Sequence, residues 1–135
     1  MIIQKEITLP EFERGFHLIT SMIINELHDL PEKGLLNVFI KHTSAGLTIN
    51  ENADYTVRVD FQSFFNTMVS EKENYVHNSE GRDDMPAHLK SSIVGQSINI
   101  PITDHQLNLG IWQGIYLCEF RNRGGRRRVV LTVFS

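Results

Sequence analysis

The sequence predicts an α+β domain with about seven strands and three helices. Two observations lead to this class. Apolar residues recur at helical spacing only before residue 95, and short apolar runs separated by glycine and proline fill the rest of the chain. We therefore expect mainly antiparallel strands after the third helix. A length of 135 residues suits one domain, and no repeat or linker divides it, so we expect a single domain over residues 1–135.

The first part of the chain predicts two strands, a helix and then a buried strand. Residues 3–9 alternate imperfectly between apolar and polar side chains, as an edge strand does, and residues 16–19 form a second short strand. Apolar residues at helical spacing follow up to Leu30. Residues 35–40 are mostly apolar, which predicts a central strand.

A second helix is the clearest element of the sequence. It follows a short strand at 47–50, and Asn52 is well placed to cap it. Its apolar residues fall on one stripe, which predicts that they belong to the core: Val57, Phe61, Phe64, Phe65 and Met68.

A long loop over residues 75–83 precedes the third helix. Asp83 or Asp84 can cap this helix, which has Pro86 in its first turn and Gly95 after its last residue. The remaining apolar runs predict strands at 96–102, 107–112, 114–120 and 128–134, with a hairpin turn at Gly124–Gly125.

Composition limits the function classes. The net charge of −3 gives no argument for binding nucleic acid or anionic membranes. The single cysteine, Cys118, lies in an apolar run and is expected to be a buried, inert thiol in a reducing compartment. We find no apolar run long enough for a membrane helix and no signal-peptide pattern, so we expect a cytoplasmic protein without membrane or nucleic-acid partners.

Three histidines could form a metal site. His42, His77 and His88 have several carboxylates near them in sequence: Asp60, Glu80, Asp83 and Asp84. Imidazole and carboxylate are zinc ligands, and a catalytic zinc site keeps one position open. The spacing of ten residues between His77 and His88 matches no common zinc motif, and two loop histidines with a helix-capping aspartate remain the ordinary alternative.

A second group of polar residues follows the buried strand at 35–40. Its hydroxyl and amide side chains could form a pocket for oxyanions or a substrate ring: Thr43, Ser44, Thr48, Asn50 and Asn52. The alternative is a turn held by local hydrogen bonds. Trp112 and Gln113, followed by a glycine, could add one wall to a pocket, although a tryptophan is more often core.

Five arginines surround the Gly124–Gly125 turn: Arg121, Arg123, Arg126, Arg127 and Arg128. Guanidinium groups bind phosphate and RNA. Neither interleaved aromatic residues nor a basic net charge accompanies them, so we favour a solvated hairpin tip.

Several of these motifs together resemble the YjbQ-like family, whose members were long described as uncharacterised and are now labelled secondary thiamine-phosphate synthase enzymes. The matching stretches run in order along nearly the whole chain: His42–Ala45, Thr48–Asp54, Tyr75–His77, Asp84–Lys90 and Leu109–Ile115. The resemblance implies a β-sandwich-like core, a homotrimer and a polar cleft near the subunit contacts. It also implies a weak ability to join a pyrimidine pyrophosphate to a thiazole phosphate, releasing pyrophosphate.

The residues and the resemblance together give a set of expectations for the site. We expect a divalent cation, zinc first and magnesium as the alternative, bound by His77, His88 and, as third ligand, His42. Catalytic roles are expected for His42, Asp60 and His88, with Asp60 and Asp84 orienting the ligands. We expect a small-molecule phosphate substrate to contact the following residues: Thr43, Ser44, Asn50, Asn52, Trp112 and Gln113. The alternatives are a non-catalytic small-molecule or phosphate-binding protein and a metal-dependent phosphate or ester hydrolase.

Overall fold

The structure is a computed structural model that describes residues 1–135. It has eight strands and three helices, in the order β1 (Ile2–Thr8), β2 (Gly15–Leu18), α1 (Thr20–Asn25), β3 (Lys33–Ile40), β4 (Ala45–Glu51), α2 (Tyr55–Met68), α3 (Asp84–Val94), β5 (Ser97–Thr103), β6 (Gln106–Leu107), β7 (Gln113–Glu119) and β8 (Arg128–Phe134). The predicted α+β class is confirmed. No helix has the length and apolar character needed to cross a membrane.

The strands form two antiparallel sheets. One sheet has the order β1-β8-β3-β5-β6, and the other has the order β2-β7-β4. The strand β1 pairs only with β8 and is an edge, as predicted. The strand β3 lies between β5 and β8 and is central, also as predicted.

The main core lies between the two sheets, as in a β-sandwich. Its sixteen buried residues come mostly from the strands of both sheets, as Leu36 of β3, Leu47 of β4 and Leu117 of β7 illustrate. Cys118 has no exposed surface, and its burial raises the pKa of the thiol, so the prediction of a buried, inert cysteine is confirmed.

Helix α3 lies directly on β4, where glycine allows a close approach. A Cβ atom on Gly46 would lie 2.9 Å from the carbonyl oxygen of Gly95, and that same oxygen accepts a hydrogen bond from the amide of Leu47 at 3.0 Å. Ser91 Oγ donates a buried hydrogen bond to the Ala45 carbonyl at 2.7 Å. These contacts fix α3 relative to the start of β4.

The prediction that the apolar stripe of α2 belongs to the core is wrong for two of its five residues, which are exposed, and the other three are only half-buried. No residue of α2 is buried, and Phe64 and Met68 are 62% and 47% exposed. Phe61 and Phe65 are half-buried against a smaller cluster that contains Phe16. The helix packs on the short strand β2, which is too narrow to cover the whole stripe.

The predicted hairpin at Gly124–Gly125 is also wrong. The strand β7 pairs with β2 and β4, whereas β8 pairs with β1 and β3, so the turn carries the chain from one sheet to the other. A buried ion pair holds this crossing, since Arg127 NH2 lies 2.5 Å from Glu119 Oε2 and Arg127 Nε donates to Oε1 at 2.8 Å. Sequence periodicity shows where the strands lie but not which sheet receives them.

Local boundaries differ from the predictions at three further places. Asp54, not Asn52, caps α2, because its carboxylate accepts the Thr56 amide at 2.9 Å. Helix α3 has no side-chain N-cap, whereas Gly95 follows its C-terminus with φ +106° as predicted. The expected strand at 107–112 is only the two-residue β6 and then a turn.

Candidate metal centre

Helix α3 and the loop before it bring three potential metal ligands together. Asp84 and His88 stand one helical turn apart on α3, and the loop after α2 delivers His77. His77 Nε2 lies 2.7 Å from Asp84 Oδ2, and His88 Nε2 lies 3.2 Å from the same oxygen. All three ligand atoms lie within 4.8 Å of one another. Small side-chain rotations would allow one cation to contact all three.

The second nitrogen of His88 fixes which atom faces the cluster. Nδ1 lies 2.9 Å from the carbonyl oxygen of Thr43, which can only accept a hydrogen bond. The Nδ1 atom therefore carries a proton, and Nε2 is the ring atom that faces Asp84. Metal-bound histidines commonly donate their other N–H to a carbonyl in this way.

Arg121 holds the other side of Asp84. Its NH1 donates to Asp84 Oδ1 at 2.6 Å, its Nε donates to Asp83 Oδ2 at 2.9 Å, and its NH2 donates to the Glu80 carbonyl at 3.0 Å. Asp84 can therefore present only Oδ2 to a ligand near the histidines. Arg121 thus connects the loop between α2 and α3, the start of α3 and the segment that follows β7.

Both carboxylates are held in the charged form. Burial alone would raise the pKa of Asp84, but hydrogen bonds and charge from His77, His88 and Arg121 outweigh it and keep the pKa low. Burial also opposes ionisation of Asp83, whose pKa is lowered by the Asn122 amide and by Arg121. Because Asp83 Oδ2 accepts hydrogen bonds from Arg121 and from the Asn122 amide, the Asp83–Asp84 pair does not offer two free carboxylates to one ion.

An open cavity of about 500 Å³ adjoins the cluster on the His77 side. Most of its lining residues are polar, and Tyr75, Arg82 and Met85 contribute to its walls. His77 and His88 are 45% and 31% exposed, whereas Asp84 is 3% exposed. A small molecule in the cavity could therefore contact the imidazole of His77 while the Asp84 carboxylate stays shielded from water.

The structure puts Asp84, rather than His42, with the two histidines. His42 lies next to Thr43, but its Nε2 accepts a hydrogen bond from the Arg128 amide at 2.9 Å. Burial, together with the charges of Arg127 and Arg128, lowers the pKa of His42. The ring is therefore tied to the start of β8, and the expected role of Asp84 as an orienting group becomes that of a direct ligand.

The residues expected to contact substrate separate into two groups. Thr43 and Ser44 lie at the start of β4, near His88. Asn50, Asn52, Trp112 and Gln113 lie at the other end of the β4–β7 pair, where Glu51 pairs with Gln113. Since β4 has seven residues, the two ends are about 20 Å apart.

The distant group mainly stabilises a turn. Asn52 Nδ2 donates to the carbonyls of Ile111 and Gln113 at 3.2 and 3.1 Å. Gln113 Oε1 accepts the Gly110 amide at 2.8 Å, and Trp112 is 62% exposed. Within one chain these residues do not line the cavity beside His77.

Three of the expected residues have other surroundings or partners. Asp60 is exposed on α2 and lies outside the cluster. Asn50 uses its side-chain oxygen to accept the amide of Glu51 at 2.7 Å. Ser44 is buried and accepts hydrogen bonds from Arg127 NH2 through Oγ and its carbonyl, at 2.9 and 3.2 Å.

Sequence reasoning missed the roles of two arginines. A solvated tip describes the exposed Arg123, Arg126 and Arg128, but it is wrong for the half-buried Arg121, which binds two carboxylates, and for the buried Arg127, which binds Glu119. The one available signal is position, because Arg121 directly follows the buried run that ends at Phe120. Its partners are 37 and 38 residues away in sequence.

Comparisons with known proteins give one consistent family. A family model described as UPF0047 protein YjbQ-like matches residues 5–135. The chain is 48% identical over 132 residues to the UPF0047 protein YjbQ of Escherichia coli O157:H7 and 49% identical to that of Salmonella typhimurium, with 96% of each chain covered.

Solved structures share the fold. A YbjQ-like protein from Sulfolobus solfataricus superimposes with a TM-score of 0.86 at 19% identity, covering 100% of this chain and 98% of that one. A conserved hypothetical protein from Thermus thermophilus gives a TM-score of 0.82 at 31% identity, with 97% and 99% covered.

Proposed function

Because this chain belongs to the UPF0047 YjbQ-like family, we propose that it is a metal-dependent enzyme whose cation is held by His77, Asp84 and His88. One observation carries this proposal. His88 Nε2 lies 3.2 Å from the ionised Asp84 Oδ2, so an imidazole nitrogen and a charged carboxylate oxygen converge on one point beside an open cavity. His77 Nε2 converges on the same oxygen.

The ligand chemistry favours zinc. Two imidazoles and one carboxylate, with an open side toward a cavity, make up the ligand set of many catalytic zinc sites. Magnesium is the second candidate, but it prefers oxygen ligands, and Asp83 is already engaged by Arg121. When bound, the cation would supply positive charge and an open position for a phosphate or another oxyanion.

The proposed activity is weak thiamine-phosphate synthesis, in which a pyrimidine pyrophosphate and a thiazole phosphate are joined with release of pyrophosphate. The cavity of about 500 Å³ has room for such a substrate beside His77. In this proposal His88 is held by Thr43, Asp84 is held by Arg121, and Tyr75 and Arg82 of the cavity wall contact the substrate. The natural substrate is a small phosphate-containing molecule.

Two other functions use the same site. A metal-dependent phosphate or ester hydrolase would need the same ligands and open position. A non-catalytic small-molecule or phosphate-binding protein would use the cavity without turnover. Prolonged incubation with substrate separates these, because a binding protein would show saturable stabilisation against heat and no product.

The test is to replace His88 with alanine and measure both bound metal and pyrophosphate release. We expect the variant to lose most of its zinc and its activity together, with circular dichroism unchanged. The matched control is His28→Ala, since His28 is distant in sequence from the cluster and lies outside it. If the metal content and the rate of pyrophosphate release are unchanged in His88→Ala, the assignment of the site is wrong.

We further propose that the active form is a cytoplasmic homotrimer of about 46 kDa. Exposed apolar side chains support self-association, because Trp112, Ile111 and Phe64 are 62%, 83% and 62% exposed. Within one chain the turn around Trp112 is too far from the metal cluster to contact it. In a trimer the turn could approach the cluster of a neighbouring subunit. A monomer in light scattering would contradict this arrangement.

A further inference from the structure

Lys90 is a buried cation without an anionic partner. Its side chain is among the largest that are fully buried, with 1% of its surface exposed. The single hydrogen bond of Nζ goes to the neutral oxygen Asn66 Oδ1 at 2.8 Å. Lysine is almost never this buried unless a carboxylate pairs with it. Nζ also lies 5.9 Å from the centroid of the Phe120 ring, a cation–π contact that does not replace a counter-charge.

The carboxylates around Lys90 are already used by other cations. Glu71 forms an ion pair with Arg14, and Asp83 forms one with Arg121. After these pairs are made, Lys90 is the positive charge left over.

Arg14 and Lys90 meet at one atom. Arg14 NH2 donates to Asn66 Oδ1 at 2.7 Å, so this oxygen accepts hydrogen bonds from both cations. A neutral amide oxygen is a weaker partner for two positive groups than a charged oxygen would be. Asn66 is itself exposed on α2, so its side chain can turn away without disturbing the core.

A polar cleft of about 480 Å³ opens above this point. Its lining contains no apolar residue and includes Arg14, Asn66 and the Arg14-bound Glu71. Lys90 does not line the cleft but lies beneath Asn66, in a void of about 10 Å³ that Arg14 and Asn66 also line. Glu71 and Lys72 also line the cavity next to His77, so the two spaces adjoin. An anionic group in the cleft could belong to a molecule whose other end lies at the metal centre.

We propose that the cleft at Arg14 binds a phosphate-sized oxyanion, the phosphate group of the substrate, and that when Asn66 turns away the oxyanion contacts Lys90 in the place of Asn66 Oδ1. A tetrahedral oxyanion has several charged acceptor oxygens and can receive hydrogen bonds from both cations and from the amide of the turned Asn66. The inference rests on the proposed function for the identity of the substrate. Binding of the anion itself requires only this chain's own cations.

The test measures the thermal stability of the full-length protein against increasing inorganic phosphate, with potassium chloride at matched ionic strength as reference. We expect a saturable rise in the midpoint for the wild type. Lys90→Met should weaken the apparent affinity at least tenfold, and Arg14→Gln should do so as a second, independent variant. Lys33→Met is the matched control, because Lys33 is exposed on β3.

Lys90→Met also reports on folding. Replacing a buried, unpaired charge with an apolar chain of similar length should leave the midpoint without phosphate equal to or above that of the wild type. A stable variant that no longer responds to phosphate identifies Lys90 as an anion-binding residue. If Lys90→Met fails to fold, Arg14→Gln decides the question by its phosphate response.

Two results would overturn the inference. One is a phosphate response in a folded Lys90→Met or Arg14→Gln protein that equals the wild-type response, and the other is a wild-type response no larger than that to chloride. The His88→Ala variant separates this inference from the proposed function, because it should keep the full phosphate response. A response lost in His88→Ala but kept in Lys90→Met would place the anion at the metal instead.

Discussion

His88 Nδ1 lies 2.9 Å from the carbonyl oxygen of Thr43, so helix α3 is fixed to the segment that leads into β4. This contact orients the imidazole and directs Nε2 to Asp84. Thr43 is followed by Ser44, whose carbonyl and hydroxyl accept hydrogen bonds from the buried Arg127. The orientation of one candidate ligand therefore depends on an ion pair in the interior.

His42→Ala should leave the metal content unchanged, because Nε2 of His42 accepts the Arg128 amide and lies outside the cluster. We expect a loss of stability of about 1 kcal/mol from the missing hydrogen bond. Metal analysis and urea denaturation of His42→Ala beside His88→Ala measure the two effects. Equal loss of metal in both variants would restore His42 as a ligand.

Arg121→Gln should weaken metal binding about 10- to 100-fold without removing a ligand, because Arg121 holds Asp84 Oδ1. With that oxygen released, Asp84 can rotate or offer both oxygens. The absorption spectrum of the cobalt-substituted protein should change, and a purely structural role would not predict this. Arg123→Gln, an exposed neighbour, is the control that should behave as wild type.

Gly46→Ala should destabilise the protein by about 1–3 kcal/mol. The new methyl group would lie 2.9 Å from the Gly95 carbonyl oxygen, which is backbone and cannot move without shifting the end of α3. Denaturant unfolding measures the loss. Gly125→Asn is a suitable control, since that position has φ +74° and open space around it, and asparagine tolerates this conformation.

Glu119→Gln should cost about 3–5 kcal/mol, because it leaves the buried Arg127 without its counter-charge. Arg127 and Glu119 are 4% and 0% exposed, so water cannot replace the lost partner. The free energy of unfolding in urea tests this. A change below about 1 kcal/mol would mean that the pair adds little to stability beyond what an exposed pair adds.

The stability of the wild type should depend on Lys90 at alkaline pH. The pKa of Lys90 is about 8 in the folded protein against an ordinary value of 10.5. Between these values the unfolded chain binds more protons at this position, so the free energy of unfolding rises with pH. The cost of burying the charge is fully present below pH 8. Subtracting the Lys90→Met profile isolates the contribution, and identical profiles would contradict it.

The sequence was most informative where local pattern and burial agree. The apolar run of β3 predicted its central place between β5 and β8, although Leu35 and Phe39 on its outer face are 37% and 44% exposed. Gly95 follows α3 because a positive φ suits glycine. His77 and His88 stood out through their residue type and nearby carboxylates. These features depend on short stretches of chain, which a sequence displays directly.

Pairing between distant elements was decided by tertiary structure. Periodicity could not show that the turn after β7 crosses between sheets, since two hairpin strands and two strands of different sheets have the same apolar pattern. The stripe of α2 looked like core for a similar reason. An amphipathic helix shows that one face needs covering, but not how much of that face a narrow sheet or a second subunit covers.

The sequence by itself determined the α+β class, the central and edge strands, and two of the three residues of the candidate metal centre, His77 and His88. Only the tertiary structure selected Asp84 over His42, brought Arg121 to the site, and left Lys90 buried without a carboxylate. The physical reason is the range of the interactions. Periodicity and capping act within a few residues, whereas Lys90 and Arg121 meet partners 24 to 38 residues away in sequence once the sheets and helices have packed. Asp84 is close to both histidines in sequence, but the path of the loop before α3 decides that His77 turns back to it.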